Sequence, residues 1–397
     1  MTWLQEHPEV DIRARWLGVG RSDDDDSRSA GANAAREAMQ GDDARLVIVF
    51  TSDRYDLGAL LGGIADVAPG VPLVGCSTAG EISASGPGDA GVVAMVLGGP
   101  GFTVATAAAR AEGTSLRDAS AAAAACVEKT APSSHRVLLL LADGLAGDQQ
   151  EVVRGAYQAV GAEVPLVGGC AGDGLKMKAT FQLHGTDVLD NAVVAAAIAS
   201  DAPIGIGVRH GWRRVGDPML VTASQGTIVH ELDGCPALDV YLERLGAPDD
   251  ARTDPAAFTR FALTHPLGLS RRSGEEVRFV GGADFEARSL TCIAQVPAGG
   301  QAWIMEGDDD SVLAATDDAC RAALEGLGER PPLGLLAFDC IARRGVLGDA
   351  GIEREIEQIS GYAGGAPVAG FYTYGEIART RGISGFHNQT LVVLALA

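Results

Sequence analysis

Three short stretches of this 397-residue chain place glycines and an acidic side chain where a strand-like run ends. The first holds Gly75, Cys76, Ser77 and Glu81. The second holds Gly168, Gly169 and Asp173, and the third Gly370, Phe371, Tyr372, Thr373, Tyr374 and Glu376. Glycine lets a backbone approach a ligand closely, and successive N–H groups form nests for anions. An acid at such a turn suits a bound cation or caps the turn's own backbone. A tight structural turn would use the same residues, so both readings stay open. A fourth stretch, Phe338-Asp339-Cys340-Ile341-Ala342-Arg343, ends another strand-like run. Arg343 there can grip a carboxylate bidentately or form a surface ion pair. Cys340 can act as a nucleophile if a neighbour such as His387 lowers its pKa; otherwise it is an inert core thiol.

Other reactive patterns are missing. The seven histidines form no HExxH or paired spacing, and the seven cysteines form no CxxC. No P-loop, GxSxG or strand-to-helix GxGxxG occurs. The expectation is therefore no catalytic residue, no metal ligand and no cofactor. His210, in a His-Gly-Trp sequence, either ligates haem or fixes a junction through hydrogen bonds.

The elements that must position these residues repeat. Apolar runs at 46–50, 137–141 and 333–338 precede a helix-compatible stretch and then a glycine motif; further apolar runs at 92–97, 192–198 and 391–396 follow. This reads as a strand–helix–strand–glycine turn–strand unit occurring three times. Helices are expected over 114–130, 149–160, 237–245 and 311–324, and a hairpin over 219–234 with its turn at Gln225-Gly226. Strands are expected at 276–280 and 290–296. The fold class is α/β: two related halves with mixed sheets flanked by helices, and a β-rich insertion in the C-terminal half. Residues 1–44 read as an N-terminal segment with a flexible acidic loop and a helix starting near Gly31, 45–215 as one domain, and 216–397 as another. The boundary is placed at the pattern break over 213–218.

Composition narrows the partners. With 31 Lys+Arg against 52 Asp+Glu the net charge is -21, which argues against nucleic acid and anionic membrane surfaces. No run approaches the ~20 apolar residues that span a bilayer. The unpaired cysteine pattern and a polar start without a signal-peptide core point to the cytoplasm.

Taken in order, these motifs make the chain resemble the FIST (F-box and intracellular signal transduction) family of sensory proteins. The residues carrying the resemblance are Gly75-Cys76-Ser77-Thr78-Ala79-Gly80-Glu81-Ile82, Gly168-Gly169-Cys170-Ala171-Gly172-Asp173, and the junction His210-Gly211-Trp212. Val221-Thr222-Ala223, Glu231-Leu232-Asp233-Gly234 and the 338–343 stretch follow, then Gly370-Phe371-Tyr372-Thr373-Tyr374-Gly375-Glu376-Ile377 and His387-Asn388-Gln389-Thr390. The resemblance implies a module that senses a small molecule, an amino acid for instance. Relatives are often fused to histidine kinases, cyclic-dinucleotide enzymes or chemoreceptor domains. None of these is read here, so signalling to a partner protein in trans is expected. A branch of the family binds haem and senses nitric oxide, which is the alternative function, with a Cys340-dependent enzyme as another. On this reading the ligand lies between the halves. Its carboxylate meets Arg343 and the N–H groups of residues 370–372, and its ammonium meets Glu376 or Glu81. One of Tyr372 and Tyr374 walls the pocket while Phe371 faces away.

Overall fold

The computed structural model describes residues 15–271, 274–380 and 385–397. The same succession of elements occurs three times, and each copy builds a six-stranded sheet. In the first, Ala44–Thr51 crosses over through the helix Leu57–Val67 to the parallel strand Leu73–Ser77. Val92–Gly98 returns antiparallel beside Ala44–Thr51, and the strand Trp16–Ser22 forms the edge. The second sheet repeats this with His135–Ala142, Leu166–Cys170, Ala192–Ser200 and the edge strand Phe102–Arg110. The third uses Gly334–Cys340, Val368–Thr373, Leu391–Leu396 and Ile204–Arg209.

A hairpin completes each sheet, and it always comes from another copy. Glu81–Ser83 with Gly86–Gly88 pairs with Val368–Thr373. Gln182–His184 with Asp187–Leu189 pairs with Leu73–Ser77, and Glu376–Arg379 with Phe386–His387 pairs with Leu166–Cys170. Each copy therefore receives the last two strands of its sheet from one of the others and lends its own hairpin to the remaining one.

Burial follows from this layout. The inner faces of all three sheets meet in one core where Phe50, Phe338 and Phe371 pack edge-on and tilted against one another. The outer faces are covered by helix pairs. Asp26 caps Ser27–Ala38 by accepting the Ser29 N–H at 2.8 Å, and Asp56 caps Leu57–Val67 through the Ala59 N–H at 3.0 Å. Alanines line the buried face of the first helix, so the pair can approach closely. The motif glycines serve the sheets in the same way. A Cβ on Gly75, Gly168 or Gly370 would lie 2.4, 1.9 or 2.0 Å from the carbonyl oxygen of Val49, Leu140 or Ala337 on the neighbouring parallel strand.

The insertion sits between the edge strand Ile204–Arg209 and the helix Asp309–Glu325, with a separate core around Tyr241, Phe258 and Leu267. Several expectations change here. The loop expected over 21–30 narrows to residues 23–26, between the strand Trp16–Ser22 and the helix Ser27–Ala38, which Asp26 caps and which starts four residues before Gly31. Residues 1–14 lie outside the described residues. The stretch at 213–218 belongs to the strand Arg213–Gln225, and what reads as a break is the register shift between Val215 and Met219, where Pro218 offers no N–H. The helix expected over 114–130 ends as a 3₁₀ turn, Ala125–Lys129. After the helix Ala237–Arg244 the insertion adds a further one that no expectation named, Pro255–Ala262, capped by Asp254.

Gly370→Ala should cost about 2–3 kcal/mol in urea unfolding, because its methyl collides with a backbone carbonyl that cannot move aside. Gly361→Ala, at an exposed helical position with open space, should stabilise by up to ~1 kcal/mol. Equal effects of the two changes would refute the packing role of the motif glycine.

Candidate functional site

The three motif turns meet and bond to one another. The Ala79 N–H donates to the Tyr372 carbonyl at 3.0 Å, and the Tyr372 N–H to that of Gly80 at 2.8 Å. The Cys170 N–H donates to the Gly375 carbonyl at 2.8 Å, and the Tyr374 N–H to that of Cys170 at 3.1 Å. The Gly172 N–H closes the ring on the Ser77 carbonyl at 3.0 Å, while the Ser77 hydroxyl donates to Gly172 at 2.7 Å.

The acids brace these turns. In the first, the Thr78 hydroxyl donates to Glu81 at 2.6 Å and accepts the Gly80 N–H, while the Gly91 N–H donates to the other carboxylate oxygen at 3.0 Å. The third repeats the pattern with Thr373, Glu376, the Gly375 N–H and the Thr390 N–H. In the second, Asp173 accepts the N–H groups of Met177, Lys178 and Ala179 and the Tyr374 hydroxyl. All three carboxylates are buried caps, so the ammonium-binding role expected of Glu81 and Glu376 is replaced by a backbone one. Burial pushes Glu376 up to about 8 and Glu81 up to about 7, against the hydrogen bonds they accept.

Arg343 also departs from expectation. It is fully buried, with Nε on Asp339 at 2.6 Å and one terminal nitrogen on Glu355 at 2.5 Å and Thr316 at 2.8 Å; the other reaches the His210 carbonyl. The carboxylate grip is thus spent inside the protein. Burial, then the Glu355 charge, raises Asp339 well above the usual carboxylate range. Sequence reasoning missed Asp339 and Glu355. The i,i+4 spacing of Asp339 and Arg343 across the strand–helix junction was the available signal; Glu355 became a partner only through folding.

A cavity of about 220 Å³ opens where the second copy, the third copy and the insertion meet. Gly144, Leu175 and Met177 come from the second copy, Cys340, Ile341, Ala342, Tyr374 and Asn388 from the third, and Phe279, Gly281 and Ile293 from the insertion. Of the sequence-derived candidates it gathers Cys340 and Tyr374. Phe371 and Cys76 lie in the central core, and Tyr372 is buried under the Arg344 guanidinium. Gly169 packs against Thr373, and Gly75, Gly370 and Ser77 hold the sheets and turns. Leu175, Met177 and the insertion residues carried no motif signal. Asn388 is buried, and its Oδ1 has no partner among the described residues.

The thiol and imidazoles at the site are quiet. Burial first and Glu376 second hold the Cys340 thiol well above its ordinary range, and it hydrogen-bonds Glu376. The His387 Nε2 donates to the Ala378 carbonyl at 3.1 Å. The His210 Nδ1 accepts the Trp212 N–H at 3.0 Å, and burial pushes this imidazole down to about 4. Among the described residues no histidine lines the cavity, and the Cys340 thiol and Tyr374 hydroxyl that do are engaged by Glu376 and Asp173, so the walls offer haem no free nitrogen, thiolate or phenolate ligand.

Two outcomes follow. Arg343→Met should cost about 3–5 kcal/mol, since it strands two buried carboxylates; a loss under ~1 kcal/mol would mean that the network is not structural. For Glu376 the folded value lies above its unfolded one. Its stabilising contribution is complete below pH 4.5 and is lost as pH rises through about 8. Glu376→Gln should therefore gain on the wild type between pH 5 and 8 in paired urea titrations, and a constant difference would contradict the raised value.

Family comparison agrees with the motif order. A FIST N domain matches residues 45–235 and a FIST C domain residues 237–379. The uncharacterized protein Rv0628c of Mycobacterium tuberculosis (strain ATCC 25618 / H37Rv) is 25% identical over 393 residues, covering 94% of this chain and 97% of its own. The uncharacterized protein Mb0898c of Mycobacterium bovis is 28% identical over 242 residues, covering 57% and 58%. A cyanuric acid hydrolase from A. caulinodans aligns at a TM-score of 0.28 and 13% identity over 47% of this chain and 71% of that one, too distant to carry an argument. With both domain models matched in sequence, the chain belongs to the FIST family.

Proposed function

We propose that this chain is a non-catalytic cytoplasmic sensor whose small-molecule ligand enters the cavity between the two halves, and that a partner protein reads the result in trans. FIST domains are sensory domains of signal transduction. The observation that carries the reading is the cavity itself, an apolar pocket at a three-way junction with the Asn388 Oδ1 unmet among the described residues. Such a pocket binds rather than transforms: its thiol is held protonated and its acid is engaged as a cap.

The neighbouring chain supplies a route outward. Asn388 faces the cavity, and its flanking residues reach the insertion. His387 lies near the buried Glu276–Arg278 ion pair. The Gln389 side-chain amide donates to the Leu263 carbonyl at 2.7 Å, and the Gln389 backbone carbonyl accepts the Trp212 indole N–H at 2.9 Å. A ligand touching Asn388, Phe279 and Ile293 together would favour one seating of the insertion over others, which is how binding becomes a signal.

A thermal-shift screen of small molecules should yield a hit, because binding to the folded state stabilises by ~2.7 kcal/mol at 100 times Kd. The same compound should slow amide exchange in the insertion strands Val280–Asp284 and Ser289–Cys292. Ala342→Leu, which fills the cavity, should remove both effects while the unliganded protein stays folded. A hit that survives Ala342→Leu and leaves the insertion's exchange unchanged would defeat the proposal.

A further inference from the structure

We infer that the ligand of this cavity is a neutral, mostly apolar molecule bearing one hydrogen-bond donor, of the size of an alkyl phenol or a short-chain alcohol; this rests on the cavity being the sensory site. The walls argue first. Leu175, Met177, Phe279, Ile293, Ile341 and Ala342 present hydrocarbon to the space, and burying a matching apolar surface supplies the driving force. A cavity of ~150 Å³ accepts benzene, so about 220 Å³ holds a ring with a short chain.

The mouth argues in the same direction. Leu175 and Met177 are 61% and 57% exposed, and Ile293 is 41% exposed. Leu175 and Met177 also sit at φ of 64° and 53°, a region that costs a residue bearing a Cβ. The backbone is held there by the amides converging on Asp173, and by the Tyr374 hydroxyl, which accepts the Leu175 N–H at 2.8 Å. Strain and exposed hydrocarbon are thus kept together at the rim, where a ligand's chain would cover them.

Charge excludes the obvious polar ligands. Asp173 stands behind the Tyr374 wall, and Arg343 is already matched to Asp339 and Glu355. A carboxylate would lose its hydration here with no free guanidinium among the described lining residues to meet it. The unmet group among the described lining residues is an acceptor, Asn388 Oδ1, covered as it stands and brought to a ligand by a turn of its side chain. A hydroxyl or amide N–H satisfies it, and an ether or hydrocarbon leaves it bare.

Isothermal titration with p-ethylphenol, p-ethylanisole, p-ethylbenzoate and phenylalanine tests this on the full chain. The phenol should bind, the ether three- to tenfold more weakly, and the two charged compounds not at all. Asn388→Leu should bring phenol and ether level without abolishing either. Should p-ethylbenzoate or phenylalanine bind as well as the phenol, and lose binding in Ala342→Leu, the ligand class is overturned while the site stands. If none of the four binds, or binding is indifferent to Ala342→Leu, the site fails and the inference with it.

Discussion

The fold depends on the closed ring of backbone hydrogen bonds among the three motif turns. Each turn bonds to both of the others, so none can be satisfied alone. Buried backbone groups must be paired, and here the pairing partners come from segments far apart in sequence. The exchange of hairpins follows from the same geometry. A chain leaving a turn that is bonded to its neighbour continues naturally as a strand of that neighbour's sheet. Glu81 and Glu376 then cap the turns from within, and their burial is offset by the hydroxyl and amide donors gathered around each carboxylate.

The third copy carries burdens that the first two do not. Thr51, Ala142 and Asp339 hold the same place in the three parallel strand pairs. Only the third is ionisable, and it anchors Arg343 at the start of the helix Ile341–Ala363. That helix departs from helical geometry at Gly348, and Glu355 beyond that point returns to the same guanidinium. The network thereby ties the strand, both halves of the kinked helix and the helix Asp309–Glu325 through Thr316. A post of this kind stands beside the cavity, on the side opposite the insertion's wall residues Phe279, Gly281 and Ile293.

Much of this was legible in the chain. Apolar runs of strand length, capped helices and thrice-placed glycines depend on local spacing, and local spacing is what a sequence displays directly. The acids at the turns were visible too, with cap and ligand site left open as their uses. Deciding between those uses needs the donors, and the Gly91 and Thr390 amides that settle it arrive from ten and fourteen residues away.

The sequence by itself determined the α/β class, the recurrence of the unit, the insertion, and the family through motif order. Only the tertiary structure decided that Arg343 is a buried post, that each hairpin belongs to another copy's sheet, and that the cavity is apolar and shared with the insertion. Side-chain chemistry is written residue by residue, but charge compensation and burial depend on which distant groups arrive beside it. For Arg343 those groups were two carboxylates; for the Asn388 Oδ1 there was none among the described residues.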